Sequence, residues 1–234
     1  YFLLSNVGSL ENQGIEAAIT YRPVVTKDVL VEVGGTFTYN QNKITSMTAV
    51  DDPEYSGYPT GGISGGVGNN VQFNSVGQPV NAFFLYQQIY NADWNPIEGL
   101  YVDRSGYPES IGEGDNARKY FAGSPAADYL VGFNAKVIYK KIDFVLNGRV
   151  SIGNLVYNNN ASSMAVLSNL YNQAGFFGNI PTSVYETNFN TAQYWSDFYL
   201  EDASFMRIDN VSLAYSFNDL FSSGLTGRIG LTVQ

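Results

Sequence analysis

Strand-like segments of this chain alternate between apolar and polar residues, and the connections between them alternate between short and long. The last segment, Arg228–Gln234, shows the pattern most simply. Ile229, Leu231 and Val233 fall on one face, and Arg228, Gly230, Thr232 and Gln234 on the other. Side chains along a strand have a period of two, so such a segment has one apolar and one wet face. Alternation alone fits many antiparallel sheets. Its repetition with alternating loop lengths is what a transmembrane β-barrel requires, with lipid outside, a polar lumen inside, tight turns at one end and large loops at the other.

Six segments carry the pattern: Gln13–Arg22, Val29–Asn40, Asp128–Tyr139, Ile142–Gly153, Phe205–Phe217 and Arg228–Gln234. Most approach the roughly 9–11 residues of a tilted membrane strand. Pro23–Asp28, Lys140–Lys141 and Asn218–Gly227 are short connections, whereas Asn42–Ala127 and Asn154–Ser204 are very long. The long ones fall at one end, as outer-membrane barrels place their extracellular loops. On the apolar faces, Tyr21, Tyr139, Phe144 and Phe217 lie beside short turns and Tyr39 and Tyr129 beside long loops, which predicts two aromatic girdles. Arg207 and Asp209 share parity with Val211 and Leu213. A charge at the bilayer midplane costs roughly 2–4 kcal/mol, which places this pair at the loop end of its strand. Within the first long excursion, Gln78–Tyr90 and Leu100–Arg104 are candidates for a further strand and its partner, which would bring the six strands to eight.

Composition narrows the function classes. Of 234 residues only 14% are charged, while 15% are aromatic, with 18 Tyr and 15 Phe. Net charge is −9, with no Lys/Arg cluster to hold phosphates, which argues against a nucleic-acid partner. The chain has no Cys and no His, so thiol chemistry and the commonest general base and metal ligand are absent. No apolar run reaches the length of a membrane helix. No acid–base constellation stands out, no cofactor is implied, and the chain reads as a non-enzyme. It starts mid-pattern at Tyr1 and stops inside a strand at Gln234, as an excerpt of a longer polypeptide would.

Each local motif has a bland reading beside the functional one. The run Gly61–Gly68 lacks the Lys-Ser/Thr ending of a phosphate loop and reads as a flexible loop. Asp103, with Glu109, Glu113 and Asp115 downstream, is a weak calcium candidate. Tyr107 and Pro108 stand where a ligand and a flexible turn are wanted, so an acidic surface loop is the better reading. The sequons at Asn160 and Asn210 read as chance matches. Loop aromatics are more suggestive, because aromatic rings anchor ligand sites. Trp94, Tyr101, Tyr157 and Trp195 are the substrate-binding candidates, against the alternative that they pack loop on loop.

Several segments resemble the SusC/RagA-type TonB-dependent outer-membrane transporters. Asn6-Val-Gly-Ser-Leu-Glu-Asn-Gln-Gly-Ile-Glu16 is similar to that family's N-x-G-x-x-x-N-x-G-x-E strand. Val76-Gly-Gln-Pro-Val80 with Phe83, Phe84 and Tyr86, and Gly153 to Asn158, resemble two further family segments. Tyr101-Val-Asp-Arg-Ser-Gly106 matches the start of an acidic family run that is degraded here at Ser105, Tyr107 and Pro108. Phe205-Met-Arg-Ile-Asp-Asn-Val-Ser-Leu-Ala-Tyr215 is similar to F-x-R-x-x-N-x-x-L-x-Y, the most specific of the set.

The resemblance implies a 22-stranded, plugged antiparallel barrel in the outer membrane, of which residues 1–234 would be part of the C-terminal half. The plug and the final strands would lie outside this chain. It implies uptake of an oligosaccharide or oligopeptide, driven by a TonB complex contacting an upstream region, with a SusD-like lipoprotein over the extracellular face. Glu16, Arg22, Glu32, Lys136, Arg149 and Arg228 would face the lumen and line the wall or touch the plug. The other reading is a secreted or surface β-sandwich that binds glycans through loop aromatics. The two differ in whether the apolar face meets a second sheet or lipid.

Overall fold

A computed structural model describes residues 7–50, 52–65, 68–102, 108–110, 119–171, 175–220 and 224–234. The chain separates into two compact units. One comprises Gln13–Gln41, Ala127–Asn154 and Ala203–Gln234; the other comprises Tyr1–Asn12, Asn42–Ala126 and Leu155–Asp202. In chain order the strands begin with β1 (Ser9–Val25), β2 (Val29–Ser46), β3 (Tyr58–Gly62), β4 (Asn70–Asn74) and β5 (Ala82–Leu85). Next come β6 (Gln88–Tyr90), β7 (Pro96–Val102), β8 (Pro108–Ser110), β9 (Tyr120–Gly123) and β10 (Tyr129–Tyr139). They end with β11 (Ile142–Ile152), β12 (Leu155–Tyr157), β13 (Leu200–Asp202), β14 (Phe205–Leu220) and β15 (Leu225–Val233).

The first unit is built on a six-stranded sheet of order β1-β2-β10-β11-β14-β15. All six segments expected from the alternation are present. Four of them run past the expected ends, because β1, β2, β14 and β15 continue through residues that do not alternate. β2 pairs directly with β10, antiparallel, with Val29 opposite Tyr139 and Tyr39 opposite Tyr129. Among the described residues, the intervening excursion therefore adds no strand to this sheet. The expected strand Gln78–Tyr90 is instead two short strands, β5 and β6, and among the described residues its pairing with Leu100–Arg104 is seen at Gln88 opposite Tyr101 on β7 and in the Val102 N–H bond to the Gln87 carbonyl.

Register confirms the two faces. Val31, Val137, Phe144, Leu213 and Leu231 follow one another across β2, β10, β11, β14 and β15 on the apolar face. At one end of that face Tyr39 and Tyr129 stack at 5.3 Å, with Phe37 6.0 Å from Tyr129. A sandwich would bury this face under a second sheet. Here Leu213 is 54% and Leu231 72% exposed, which does not suit that reading.

One expectation is overturned. Between Asn147 and Gly148 the β11–β14 register shifts, so that Asn147 faces Asn210 while Gly148 faces Ile208. Asp209 is the extra residue of a β-bulge, and a bulge reverses the alternation beyond it. Met206 and Ile208 consequently join the apolar face opposite Val150 and Gly148, and Arg207 lies opposite Arg149 on the polar face. Arg207 does not share the face of Val211, and no displacement toward the loop end is needed to account for its charge. Gly148 is required at this point, since a Cβ there would lie 2.3 Å from the Phe133 ring and 2.7 Å from the Arg207 carbonyl oxygen.

The second unit contains a four-stranded sheet β3-β4-β5-β9, a three-stranded sheet β6-β7-β8 and the pair β12-β13. Val71, Phe83 and Leu85 form one buried cluster, packed by Ile63, Ala122, Leu155, Tyr157, Trp195 and Leu200. Ala161, Ala165, Val184 and Tyr199 form another. The helix α1 (Asn159–Met164) starts at Asn158, whose side-chain oxygen accepts from the Ala161 N–H at 2.9 Å. This is an N-cap that satisfies one of the helix's otherwise unpaired donors.

Candidate functional site: a charged sheet face and an aromatic loop cluster

The polar face of the six-stranded sheet brings together the residues expected to line a lumen. The Arg22 Nε donates to Glu32 at 2.6 Å, and Lys136 stands directly opposite Glu32 across β2 and β10. Arg228 reaches across β14 to Asp143 at 2.9 Å. Its path is open because the β14 and β15 positions level with Asp143 are Ala214 and Gly230. Arg149 and Arg207 lie 3.5 and 3.2 Å from the same Asp209 oxygen. Glu16 shares the parity of Arg22 on β1. Alternation alone places Asp143 on this polar face, opposite Ile142 and Phe144. It puts Arg207 and Asp209 on the wrong face, because the bulge reverses their parity.

In the second unit the four aromatic candidates differ. Trp94 is 83% exposed and sits at the β6–β7 turn with φ 61°. The Asn91 side-chain oxygen accepts from the Asp93 and Asn95 N–H groups, each at 2.9 Å, which holds that turn in place. The Trp94 ring lies 6.3 Å from that of Tyr90. Tyr101, in contrast, is buried at 4% exposure. Its ring lies 5.1 Å from that of Tyr86 and its hydroxyl donates to Gln193 Oε1 at 2.6 Å. Tyr157 donates to the Tyr194 carbonyl and packs in both buried clusters. Trp195 donates from Nε1 to the Asn70 carbonyl at 3.0 Å. Burial pushes the Tyr101 and Tyr157 hydroxyls well above the usual phenol range, so both remain donors.

Around these rings is a polar hub that no motif announced. Ser196, fully buried, donates to Gln88 Oε1 at 2.7 Å, and Gln88 Nε2 donates to the Ile97 carbonyl at 2.7 Å. Asp197 accepts from the Gln88 N–H at 2.8 Å and from the Tyr120 hydroxyl at 2.6 Å. Lys119 places its ammonium 4.7 Å from the Trp195 ring centre and 5.1 Å from that of Tyr86, and burial lowers its pKa to about 8. Partial burial alone would raise the Glu98 carboxyl. Hydrogen bonds from the Thr191 hydroxyl and the Asn190 and Thr191 N–H groups outweigh it and hold the group below its ordinary value. Asp103 lies outside the described residues.

No family model matches the chain. It is 37% identical over 238 residues to the TonB-dependent receptor SusC of Bacteroides thetaiotaomicron, a match covering 99% of this chain and 23% of the relative. It is 24% identical to the TonB-dependent receptor P3 of Formosa agariphila, over 97% of this chain and 23% of that protein. Among solved structures, a RagAB peptide transporter superposes with TM-score 0.69 at 20% identity, covering 97% of this chain and 26% of the other. The same importer in its open-open state gives 0.69 at 19% identity over 98% and 26%. At such identities these structures speak for the fold, an antiparallel segment of a large barrel. The chain spans about a quarter of the length of the proteins it matches. The sheet with one open apolar and one charged face, and the SusC identity over 99% of its length, make this chain a member of the SusC/RagA-type TonB-dependent receptors.

Proposed function

We propose that this chain is part of the wall and extracellular loops of an outer-membrane importer that takes up an oligosaccharide or oligopeptide. In this reading the apolar sheet face meets lipid, and the face carrying Glu16, Arg22, Glu32, Lys136, Arg149 and Arg228 lines the interior. A SusD-like lipoprotein partners the loops, and a TonB complex supplies energy through a region outside this chain. The protein binds and passes its substrate and does no covalent chemistry. The observation that carries the reading is the two-faced sheet, open and apolar on one side and ion-paired on the other, in a chain homologous to SusC. Of the aromatic candidates, Trp94 is proposed to meet the ligand with its exposed ring. Tyr101, Tyr157 and Trp195 are proposed to shape the surface around it.

Two measurements test this. Cells carrying the full-length protein should take up labelled oligosaccharides or oligopeptides in a manner abolished by loss of TonB. Uptake of neither class, or uptake indifferent to TonB, refutes the import reading. Single cysteines placed between residues 154 and 204 should react with a membrane-impermeant thiol reagent on intact cells, and a cysteine at Thr26 should not. The reverse pattern would invert the orientation.

A further inference from the structure

We propose that Arg149 and Arg207, with Asp209 between them, form a binding site for a carboxylate on the polar face of the sheet. This rests on the reading of that face as the interior of a transporter barrel. The two arginines stand directly opposite one another on β11 and β14, an arrangement of like charges that repels unless something compensates it. The bulge supplies a partial answer. Asp209, the unpaired extra residue, approaches both guanidinium groups through its Oδ1, at 3.5 and 3.2 Å. One carboxylate serving two guanidiniums leaves the cluster with a surplus positive charge, in a chain whose net charge is −9. The neighbouring pairs are closer, Arg22–Glu32 at 2.6 Å and Arg228–Asp143 at 2.9 Å.

The space around the pair suits an incoming group. The Arg149 and Arg207 side chains are 57% and 60% exposed, and each guanidinium has five donors in a planar fork that matches a carboxylate. The β10 residue beside Arg149 is Gly132, which offers no side chain. A Cβ at Gly132 would come within 2.5 Å of Thr36 Oγ1, so that hydroxyl lies over the glycine as a further hydrogen-bonding group. In the next row on the same face stand Leu130 and Phe205, 50% and 43% exposed, among otherwise polar neighbours. Paired forks beside exposed apolar side chains fit a carboxylate carried on an apolar body. The carboxylate comes either from a free ligand or from an acidic side chain of the protein's own remaining segments.

The test uses the purified full-length protein, with hexanoate as probe and the isosteric hexanamide as control. If the site is open to ligand, hexanoate raises the melting temperature and hexanamide does not. Arg149→Gln and Arg207→Gln then each weaken the apparent hexanoate affinity by roughly tenfold or more. If the protein's own carboxylate occupies the site, hexanoate has no effect. Either arginine substitution then lowers the melting temperature by more than Asp209→Asn does, since arginines serving Asp209 alone could lose no more than Asp209 itself loses. Three results overturn the proposal: a hexanoate response that survives both arginine substitutions, an equal response to hexanamide, or no response with Asp209→Asn at least as damaging as either arginine change. Heat-modifiable gel mobility of the wild type and of each variant reports whether the barrel itself is intact. Failure of this site with mobility retained leaves the barrel reading standing, whereas loss of mobility in the wild type removes both.

Discussion

Replacing Tyr101 by alanine should loosen the loop unit from within, while replacing Trp94 should leave it intact. Tyr101 is 4% exposed, packs its ring on Tyr86 and bonds Gln193 through its hydroxyl. Truncating a large buried aromatic side chain costs about 3–5 kcal/mol, from lost transfer free energy and the cavity left behind. Local opening free energies are read by amide hydrogen exchange, in which each 1.4 kcal/mol is about a factor of ten. The reporting amides are those that close the hub: Tyr86 N–H to the Trp195 carbonyl at 2.8 Å, Val102 N–H to the Gln87 carbonyl at 2.9 Å and Asp197 N–H to the Tyr86 carbonyl at 2.9 Å. Their exchange should speed up by about two to three and a half orders of magnitude in Tyr101→Ala and much less in Tyr101→Phe, which loses only the bond to Gln193. Trp94 is 83% exposed, so Trp94→Ala should change stability by less than about 0.5 kcal/mol, within roughly a twofold change in exchange. Unaltered exchange in Tyr101→Ala, or equal effects of the two alanine variants, would refute the division between a packing ring and a free one.

Lys119 is half-buried on two rings, so its charged form is disfavoured in the fold and its pKa falls to about 8. Between that value and the ordinary lysine value the unfolded chain holds the extra proton, so the penalty is present at lower pH and relieved as pH rises through the window. Acylation at Lys119, followed by mass spectrometry, should show a midpoint near 8. Leu231→Arg on the apolar face should cost roughly 2–4 kcal/mol near the bilayer midplane, and Thr232→Arg on the polar face much less, measured as folding yield into heat-modifiable barrel. Equal yields would contradict the assignment of the faces.

The long strands were legible because their two faces meet different solvents, and the alternation of residue types carries that difference residue by residue. Ile15 to Tyr21 and Val211 to Phe217 announce their parity without help from the rest of the molecule. The extensions of β1 and β2 were not legible, since Asn40 to Lys43 are consecutive polar residues with no alternation to read. The bulge left a trace that strict alternation overlooks. Apolar residues fall at the even positions 206 and 208 and then at the odd positions 211, 213 and 215, with Asp209 and Asn210 adjacent between them. That slip in phase is the mark of an inserted residue. The loop unit was the least legible part. Its strands are too short to display a period, and its hub joins residues about a hundred positions apart, such as Gln88 with Ser196 and Glu98 with Thr191, which no local period encodes.

The most direct test of the account is the accessibility of single spin labels along β14. The chain has no native cysteine, so within it each label is unique, and any cysteine elsewhere in the full-length protein is replaced by serine first. Cysteines introduced one at a time from Met206 to Leu213 in the full-length protein, reconstituted in lipid, would be probed with oxygen, which concentrates in lipid, and with a water-soluble nickel chelate. The account predicts oxygen-accessible labels at Met206, Ile208, Val211 and Leu213 and nickel-accessible ones at Arg207 and Ser212, with the period slipping by one residue at Asp209. An unbroken period that puts Arg207 on the same side as Val211 would contradict the bulge. Nickel accessibility on both faces would contradict the barrel wall itself.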